Sequence, residues 1–492
     1  MAPIPNIPQR VTNVTIGPRA EGSEIIEAQV KVAAGSSAPG EVELDSTGQW
    51  VVRVPADPTR PLDLSGGREF LEDGWRGAGA KLVRRIGKVV DGHPVRAKKH
   101  IVQVNLPEEF TPDNVRSLVI GLIVGNHSFV TTNKRKPARV RDVHIVLPQD
   151  FESSGFDTAD YVAAVKEGKA LGKATCLSRD LANAPANVKS PEWLATQAKK
   201  AVSDIEGVKV RLRDAAWLKD KGFGGVLAVG KGSSRPPMLI ELVWDPEKVD
   251  LRRRRRTVVL VGKGVTFDTG GISVKPAAGM DTMRTDMTGG ASVIAAFRAL
   301  AEQKVPRKIV ALIPTAENMI DGNSYRPGDV VEHYGGLTSE VTNTDAEGRM
   351  ILADAISYGA KKYKPVAVVT VATLTGAAKV ALGLRTGAVF ADNWGAGVKL
   401  ARRGATVGEH WWPMPMQDYL EENVNSKIAD VRQTPKGPGA TTAAMFLRRF
   451  TRGVPLIHLD IAGPGRAESA YDEVTPVGTG FGARTLVQWL IH

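Results

Sequence analysis

The chain has a single cysteine, Cys176, among 492 residues. No intrachain disulfide can form, so the fold cannot depend on an oxidising compartment. Long apolar runs are scarce too. The most apolar stretch, Val366 to Leu384, has Lys364 at its edge, Lys379 inside it, and threonines and glycines throughout. It reads as a buried strand and loop, not as a membrane span. The first residues, Met1-Ala2-Pro3-Ile4-Pro5, are proline-broken, and no basic segment leads into an apolar one. They do not read as a signal peptide, so the cytoplasm is the expected compartment and no membrane partner is expected. Internal repeats and low-complexity segments are absent as well.

What is present is ordinary for a globular protein. Hydrophobic residues make up 42% and charged residues 24%, which argues against wholesale disorder. The 51 glycines and 30 prolines supply the tight turns that α/β enzymes need. The length exceeds one ordinary core, so two or three domains are expected. A net charge of +12 favours polyanions or acidic surfaces without naming a partner. The densest basic patch, Arg252 to Arg256, reads as a solvated loop before a strand, with nucleic acid or another acidic partner as the alternative. Aromatic residues do not interleave with the basic runs, which weakens a single-strand platform.

Residues 1–155 read as a smaller α/β unit. Its expected strands include Trp50 to Val54, Lys99 to Val104 and Val140 to Leu147, and Val115 to Val124 reads as a helix running into a strand. Residues 156–184 form a linking helix. Val162, Ala163, Ala170, Ala174, Leu177 and Leu181 recur there at helical spacing until Asn183-Ala184-Pro185 stops it. In residues 185–492, expected strands at Val208–Leu212, Met238–Val243, Val258–Val261, Ile309–Ile313 and Val366–Val371 alternate with helices at Pro191–Ser203, Thr288–Glu302 and Ala346–Lys362. Continuous apolar strands between helices imply a larger α/β domain with a mostly parallel central sheet, buried on both faces.

Ligands of such sheets sit outside the carboxyl ends of strands. Three segments fall there: Gly262 to Gly271, Met283 to Met287, and Asn343 to Arg349. Singly, each has a bland reading. Thr344 and Glu347 make a capping box with Asp345 at the positive end of a helix. Asp268 before Thr269-Gly270-Gly271 suits a turn. Lys263 between glycines lacks the spacing of a phosphate loop. Together they converge Asp268, Asp286, Asp345 and Glu347 on one edge, beside two lysines and an arginine. Four like charges at close range need cations. Oxygen donors without cysteine or a nearby histidine suit zinc, manganese or magnesium, and a carboxylate-bridged metal pair is a standard device for hydrolysis.

Asn343-Thr344-Asp345-Ala346-Glu347-Gly348-Arg349 resembles the signature of the leucine aminopeptidases, a cytosolic family with a two-metal site. Residues 261–276, 279–287, 372–377, 427–430, 442–447 and 458–463 are similar to further family segments in the same order. The likeness covers roughly residues 175–492, and the first half resembles the family only loosely. It implies a metal-dependent aminopeptidase releasing N-terminal residues, with the second domain catalytic. The implied metal ligands are Lys263, Asp268, Asp286, Asp345 and Glu347, with Asp268 and Glu347 bridging. Lys275 and Arg349 are the implied catalytic residues, and Arg349 with the backbone of Leu374 would hold bicarbonate as general base. Met283, Thr373 and Gly376 would line the pocket for the leaving residue. Zinc or manganese is expected, with magnesium or cobalt as alternatives, and a homohexamer is the implied assembly. Some family members also bind DNA, so a second, regulatory role stays open. Thr269, Met350 and Pro464-Gly465-Arg466 depart from the family pattern without touching a ligand, and the last could alter the rim of the pocket.

Overall fold

The computed structural model describes residues 5–21, 25–32, 41–54, 74–92, 100–131, 140–147, 155–246 and 256–492. It divides into two compact units: residues 1–176 with 468–476, and residues 177–467 with 477–492. The division falls inside the helix Thr158–Asn183, and the segment Glu468–Pro476 returns to the first unit although it lies deep in the second half of the sequence. Within the basic run Arg252–Arg256, only Arg256 belongs to the described residues.

The first unit holds a six-stranded sheet. Its order is Asn13–Gly17, Asp142–Val146, Ile101–Asn105, Ile25–Val32, Trp50–Val54 and Val42–Leu44. Every neighbouring pair is parallel except the last. The segment expected to pass from helix to strand is instead one helix, Pro112–Gly125. Its start is strongly marked by Pro112 at the first turn and a reciprocal cap between Thr111 and Asn114. Its valines and isoleucines are buried, so packing overrides their strand preference.

The second unit is built on a nine-stranded sheet. Five strands run parallel to their neighbours in its middle: Leu456–Asp460, Ala367–Ala372, Val258–Gly262, Ile309–Asn318 and Gly264–Asp268. Antiparallel neighbours flank them, Met238–Trp244 and Val208–Arg213 on one side and Thr386–Ala391 on the other. Val258–Gly262 and Ile309–Asn318 are buried throughout, as apolar strands covered on both faces must be. The helices Thr288–Glu302 and Glu347–Tyr363 lie where the periodicity places them. The stretch from Val366 to Leu384 carries a short helix, Gly376–Leu382, after its strand, in place of the expected loop. Among the described residues no helix is long and apolar enough to cross a membrane.

Because the five central strands are parallel, their carboxyl ends meet at one edge. Lys263, Thr373, Asp268 and Asn318 all stand at or just past such ends. The start of the helix Thr288–Glu302 presses directly on that edge. Gly290 N–H donates to the Lys263 carbonyl at 2.8 Å, and a Cβ on Gly289 would lie 2.1 Å from the Val371 carbonyl oxygen. Gly289→Ala is therefore expected to force helix and strand apart, costing about 1–3 kcal/mol or more as overpacking does. A drop of several degrees in the apparent melting temperature by calorimetry would show it. An unchanged melt would mean that the helix start is not packed this closely.

Candidate metal centre

Lys263 stands between two consecutive strands, Val258–Gly262 and Gly264–Asp268, and Asp268 closes the second. The chain then reverses through Gly270 and Gly271, at φ 89° and 62°. Only glycine takes such angles without strain, and a Cβ at Gly270 would meet the Ser273 carbonyl at 2.5 Å. The reversal is closed by Lys275 N–H on the Thr269 carbonyl, 2.9 Å. Asp286 follows the short 3-10 helix Met280–Thr285, and Glu347 is the first residue of the helix Glu347–Tyr363.

These folds bring the charges together. One oxygen each of Asp268, Asp286 and Glu347 lies within 4.8 Å of the others. Lys263 Nζ sits 2.9 Å from Asp286 Oδ2 and 2.7 Å from Glu347 Oε1, and it donates to the Thr373 carbonyl at 3.0 Å. Lys275 Nζ is 2.8 Å from Asp268 Oδ2 and pairs also with Asp345 Oδ1. Asp268 Oδ1 accepts from Gly270 N–H at 2.9 Å and from Asn318 Nδ2 at 2.8 Å. Lys263 is 3% exposed, Asp268 2%, Asp286 8% and Glu347 1%. The chain folds so tightly here that a Cβ on Gly348 would lie 2.8 Å from Lys263 Nζ.

Burial dominates the titration of the carboxyls. It pushes Asp268 up to about 6, with the charge of Glu347 adding to it and the two lysines opposing it. Asp286 and Glu347 are raised in the same way. Burial works against the ammonium of Lys263, but Asp286, Glu347 and Asp268 outweigh it and hold its proton more tightly than usual. Lys275 is likewise raised, Asp268 and Glu347 outweighing its burial. With only protein charges present, both lysines are cations standing among the carboxylates.

The donor set fits divalent cations. Buried Asp286 Oδ2 and Glu347 Oε1 have the Lys263 ammonium as their close neighbour, at 2.9 and 2.7 Å, and clustered carboxylate oxygens are what hard or borderline cations bind. Lys263 can join as a ligand only by losing its proton, so the cation must displace it.

The sequence-derived residues share one cavity of about 360 Å³. Its walls include Lys263, Asp268, Asp286, Asp345, Glu347, Lys275 and Arg349, with Leu374, Met283, Thr373 and Gly376. Arg349 is 7% exposed. Its Nη1 donates to the Gln433 carbonyl at 2.8 Å, while Nε has no hydrogen-bond partner among the described residues. Burial lowers its pKa to about 10 despite Glu347 and Asp460. The Leu374 N–H already donates to Asp460 Oδ1 at 3.1 Å, so it can serve an anion only by sharing that bond.

One local expectation is overturned. Thr344 and Glu347 do not form a capping box: Ala346 occupies the cap position, with no side-chain cap. Thr344 Oγ1 accepts from Ser273 N–H at 2.7 Å and donates to the Gly270 carbonyl at 2.7 Å, tying the Asp345 loop to the Asp268 turn. A long-range bond has displaced the local one.

Several supporting residues escaped the sequence reading. Asn318 holds both Asp268 and the Thr344 carbonyl, the latter at 3.0 Å. Gln433 Oε1 accepts from Thr342 and Asn343 N–H at 2.9 and 3.0 Å. Fully buried Lys189 donates to the Ala182 and Arg284 carbonyls, each at 2.6 Å, and burial pulls its pKa well down, with Arg284 adding to the effect. Asp460 lies within the family-like stretch 458–463 and was in that sense visible. Gln433 and Lys189 carry no local signal.

A profile of the cytosol aminopeptidase family, catalytic domain, matches residues 176–487. The "Probable cytosol aminopeptidase" of Corynebacterium diphtheriae is 43% identical over 373 residues, 74% of this chain and 71% of that protein. The protein of the same name from Desulfotalea psychrophila is 38% identical over 418 residues, 83% of this chain and 81% of its own length. Among solved structures, the bottromycin maturation enzyme BotP in complex with Mn superimposes with a TM-score of 0.79 at 33% identity, covering 96% of this chain and 99% of that one. Matched over well over half its length, this chain belongs to the cytosol aminopeptidase family.

Proposed function

We propose that the chain removes single residues, leucine among them, from the free N-termini of peptides, using two divalent cations held by Lys263, Asp268, Asp286, Asp345 and Glu347. The observation that carries this reading is the buried carboxylate cluster on the wall of an open cavity. Cations bound there supply Lewis-acid activation of water and a hold on the substrate's free amine. Manganese or zinc is the favoured occupant, with magnesium or cobalt compatible with the same oxygens. Manganese also has the support of the BotP complex. On the family pattern the enzyme works in the cytoplasm as a homohexamer. A role on nucleic acid would rest on net charge and on the family likeness, not on the site, and is not part of the proposal.

The chain's own groups have distinct tasks. Lys275 keeps an ammonium on the cavity wall through Asp268 and Asp345, where it can donate to the oxygen that gains charge at the scissile carbonyl. Arg349 stands on the first turn of a long helix, whose N–H groups and dipole favour an anion. With its Nε uncommitted, it suits a bicarbonate acting as general base. Met283, Thr373 and Gly376 form the receiving wall for the leaving side chain, Met283 adapting to shape.

Chelation is expected to abolish activity, and Asp268→Ala or Glu347→Ala to lose bound metal. Elemental analysis finding two metals per chain in either variant would defeat the bridging assignment. A peptide acetylated at its N-terminus should resist cleavage, because its amine can no longer bind; equal rates on blocked and free peptides would indicate an endopeptidase or amidase instead.

Lys275→Ala is expected to lose about a hundred- to a thousandfold in turnover, the usual cost of one oxyanion donor, while retaining metal. Arg349→Ala should fall less, because water or a buffer anion can replace part of a base worth on the order of a hundredfold. Added bicarbonate should stimulate the parent and not this variant. Steady-state kinetics with metal content decide both. Near-normal turnover in Lys275→Ala, or parent-like stimulation of Arg349→Ala, would overturn the assigned roles.

A further inference from the structure

Five cationic side chains line the cavity: Lys263, Lys275, Arg349, Lys379 and Arg466. The first two are engaged by carboxylates, and Arg349 is held by the Gln433 carbonyl. Arg466 and Lys379 face no carboxylate partner among the described residues. Lys379 is a mobile point charge, whereas a guanidinium offers a planar fork of five donors matched to a carboxylate.

Arg466 is also the better placed of the two. It opens the two-residue strand Arg466–Ala467, paired in register with Val477–Gly478. The turn before it is fixed by Gly465 N–H on the Ile461 carbonyl, 2.8 Å. Its Nη1 donates to Thr282 Oγ1 at 2.5 Å, and Thr282 adjoins Met283. The preceding Gly465 packs on Thr373, another lining residue of the cavity, since a Cβ there would lie 3.1 Å from Thr373 Cγ2. The guanidinium therefore belongs to the wall formed by Met283 and Thr373, the wall assigned above to the leaving side chain. Thr282 takes only one of its donors. It is partly buried, and charge-assisted pairs are stronger away from full exposure.

We propose that Arg466 extends the substrates of this pocket to peptides whose first residue is aspartate or glutamate, by pairing its guanidinium with that residue's carboxylate. The proposal rests on the aminopeptidase reading above. A leucine first residue would meet the same wall as an apolar surface of methionine and threonine, with the guanidinium left to solvent. Cations bound at the carboxylate cluster would make the cavity more positive still, which also favours an anionic side chain.

The test compares leucyl, glutamyl and lysyl p-nitroanilides on the manganese-loaded full chain and on Arg466→Met, Arg466→Lys and Arg466→Glu, with calorimetric binding of free L-glutamate and L-leucine. The parent should cleave the glutamyl substrate as well as the leucyl one. In Arg466→Met the glutamyl-to-leucyl ratio of kcat/KM should fall by about ten- to a hundredfold, as loss of a charge-assisted bond does. Arg466→Lys should fall between, and Arg466→Glu should favour the lysyl substrate. A parent active on leucyl but not glutamyl substrate overturns the proposal, as does a ratio unchanged in Arg466→Met. Were no substrate cleaved, the aminopeptidase reading itself would fall. Calorimetry would still decide the pocket, because L-glutamate binding undiminished in Arg466→Met sinks the proposal alone.

Discussion

Asp268, Asp286 and Glu347 are carboxylates that water barely reaches, crowded so that each raises the cost of charging the others. Without compensation they would protonate or push apart. The compensation in the chain itself comes from Lys263 and Lys275, each seated between two carboxylates. A buried ion cluster of this kind is weak evidence for stability, since desolvation cancels much of its attraction. On the proposed reading its use lies in chemistry, because carboxylates kept dry and close favour cations. Much of the second unit can be understood as the frame needed to hold those carboxylates in place.

The frame works through close approaches that tolerate no side chain. Gly289 and Gly290 let a helix start lie on the strand ends beside Lys263, and Gly348 lets the helix of Glu347 pass over the lysine itself. That second helix is anchored further along by Asp354. Its carboxylate accepts from Val226 N–H, Tyr334 N–H and His333 Nδ1, each at 2.9 Å, which fixes where the first turn points. Positions far from the cavity thus determine the spacing of its charges, because a helix transmits an anchor at one turn to its end.

The parts of this arrangement legible in the sequence were those governed by local chemistry. Apolar runs alternating with helical periods located three of the five central strands, Ala367–Ala372, Val258–Gly262 and Ile309–Asn318, and the helices Thr288–Glu302 and Glu347–Tyr363, but not the strands Gly264–Asp268 and Leu456–Asp460. Clustered acids and glycines after a strand pointed to the edge where they meet. What stayed hidden depended on distant partners. Thr344 looked like a helix cap and is instead a clasp between two loops, since Ser273 and Gly270 offer it bonds from over seventy residues away. The second half of the helix Pro112–Gly125 reads as a strand because Leu118–Val124 is buried and carries no polar residue to mark a helical period. Gln433 and Lys189 act through backbone groups, and no spacing announces that.

Lys189 shows how such support differs from the cluster it serves. Its amine is fully buried with carbonyl oxygens and the Met287 sulfur for partners, and no carboxylate is among them. A cation in that setting is penalised, and its pKa falls accordingly. Lys263, which pairs with Asp286, is likewise buried but surrounded by carboxylates, and its pKa rises. Burial is common to both, so the sign of the shift is decided by the neighbours. The same contrast explains a division of labour. The lysine without counter-charge can serve as a rigid donor that pins the Arg284 carbonyl ahead of Asp286. The lysine among the acids carries a proton that it would have to lose to ligate a cation, so on the proposed reading the occupancy of the centre would depend on pH.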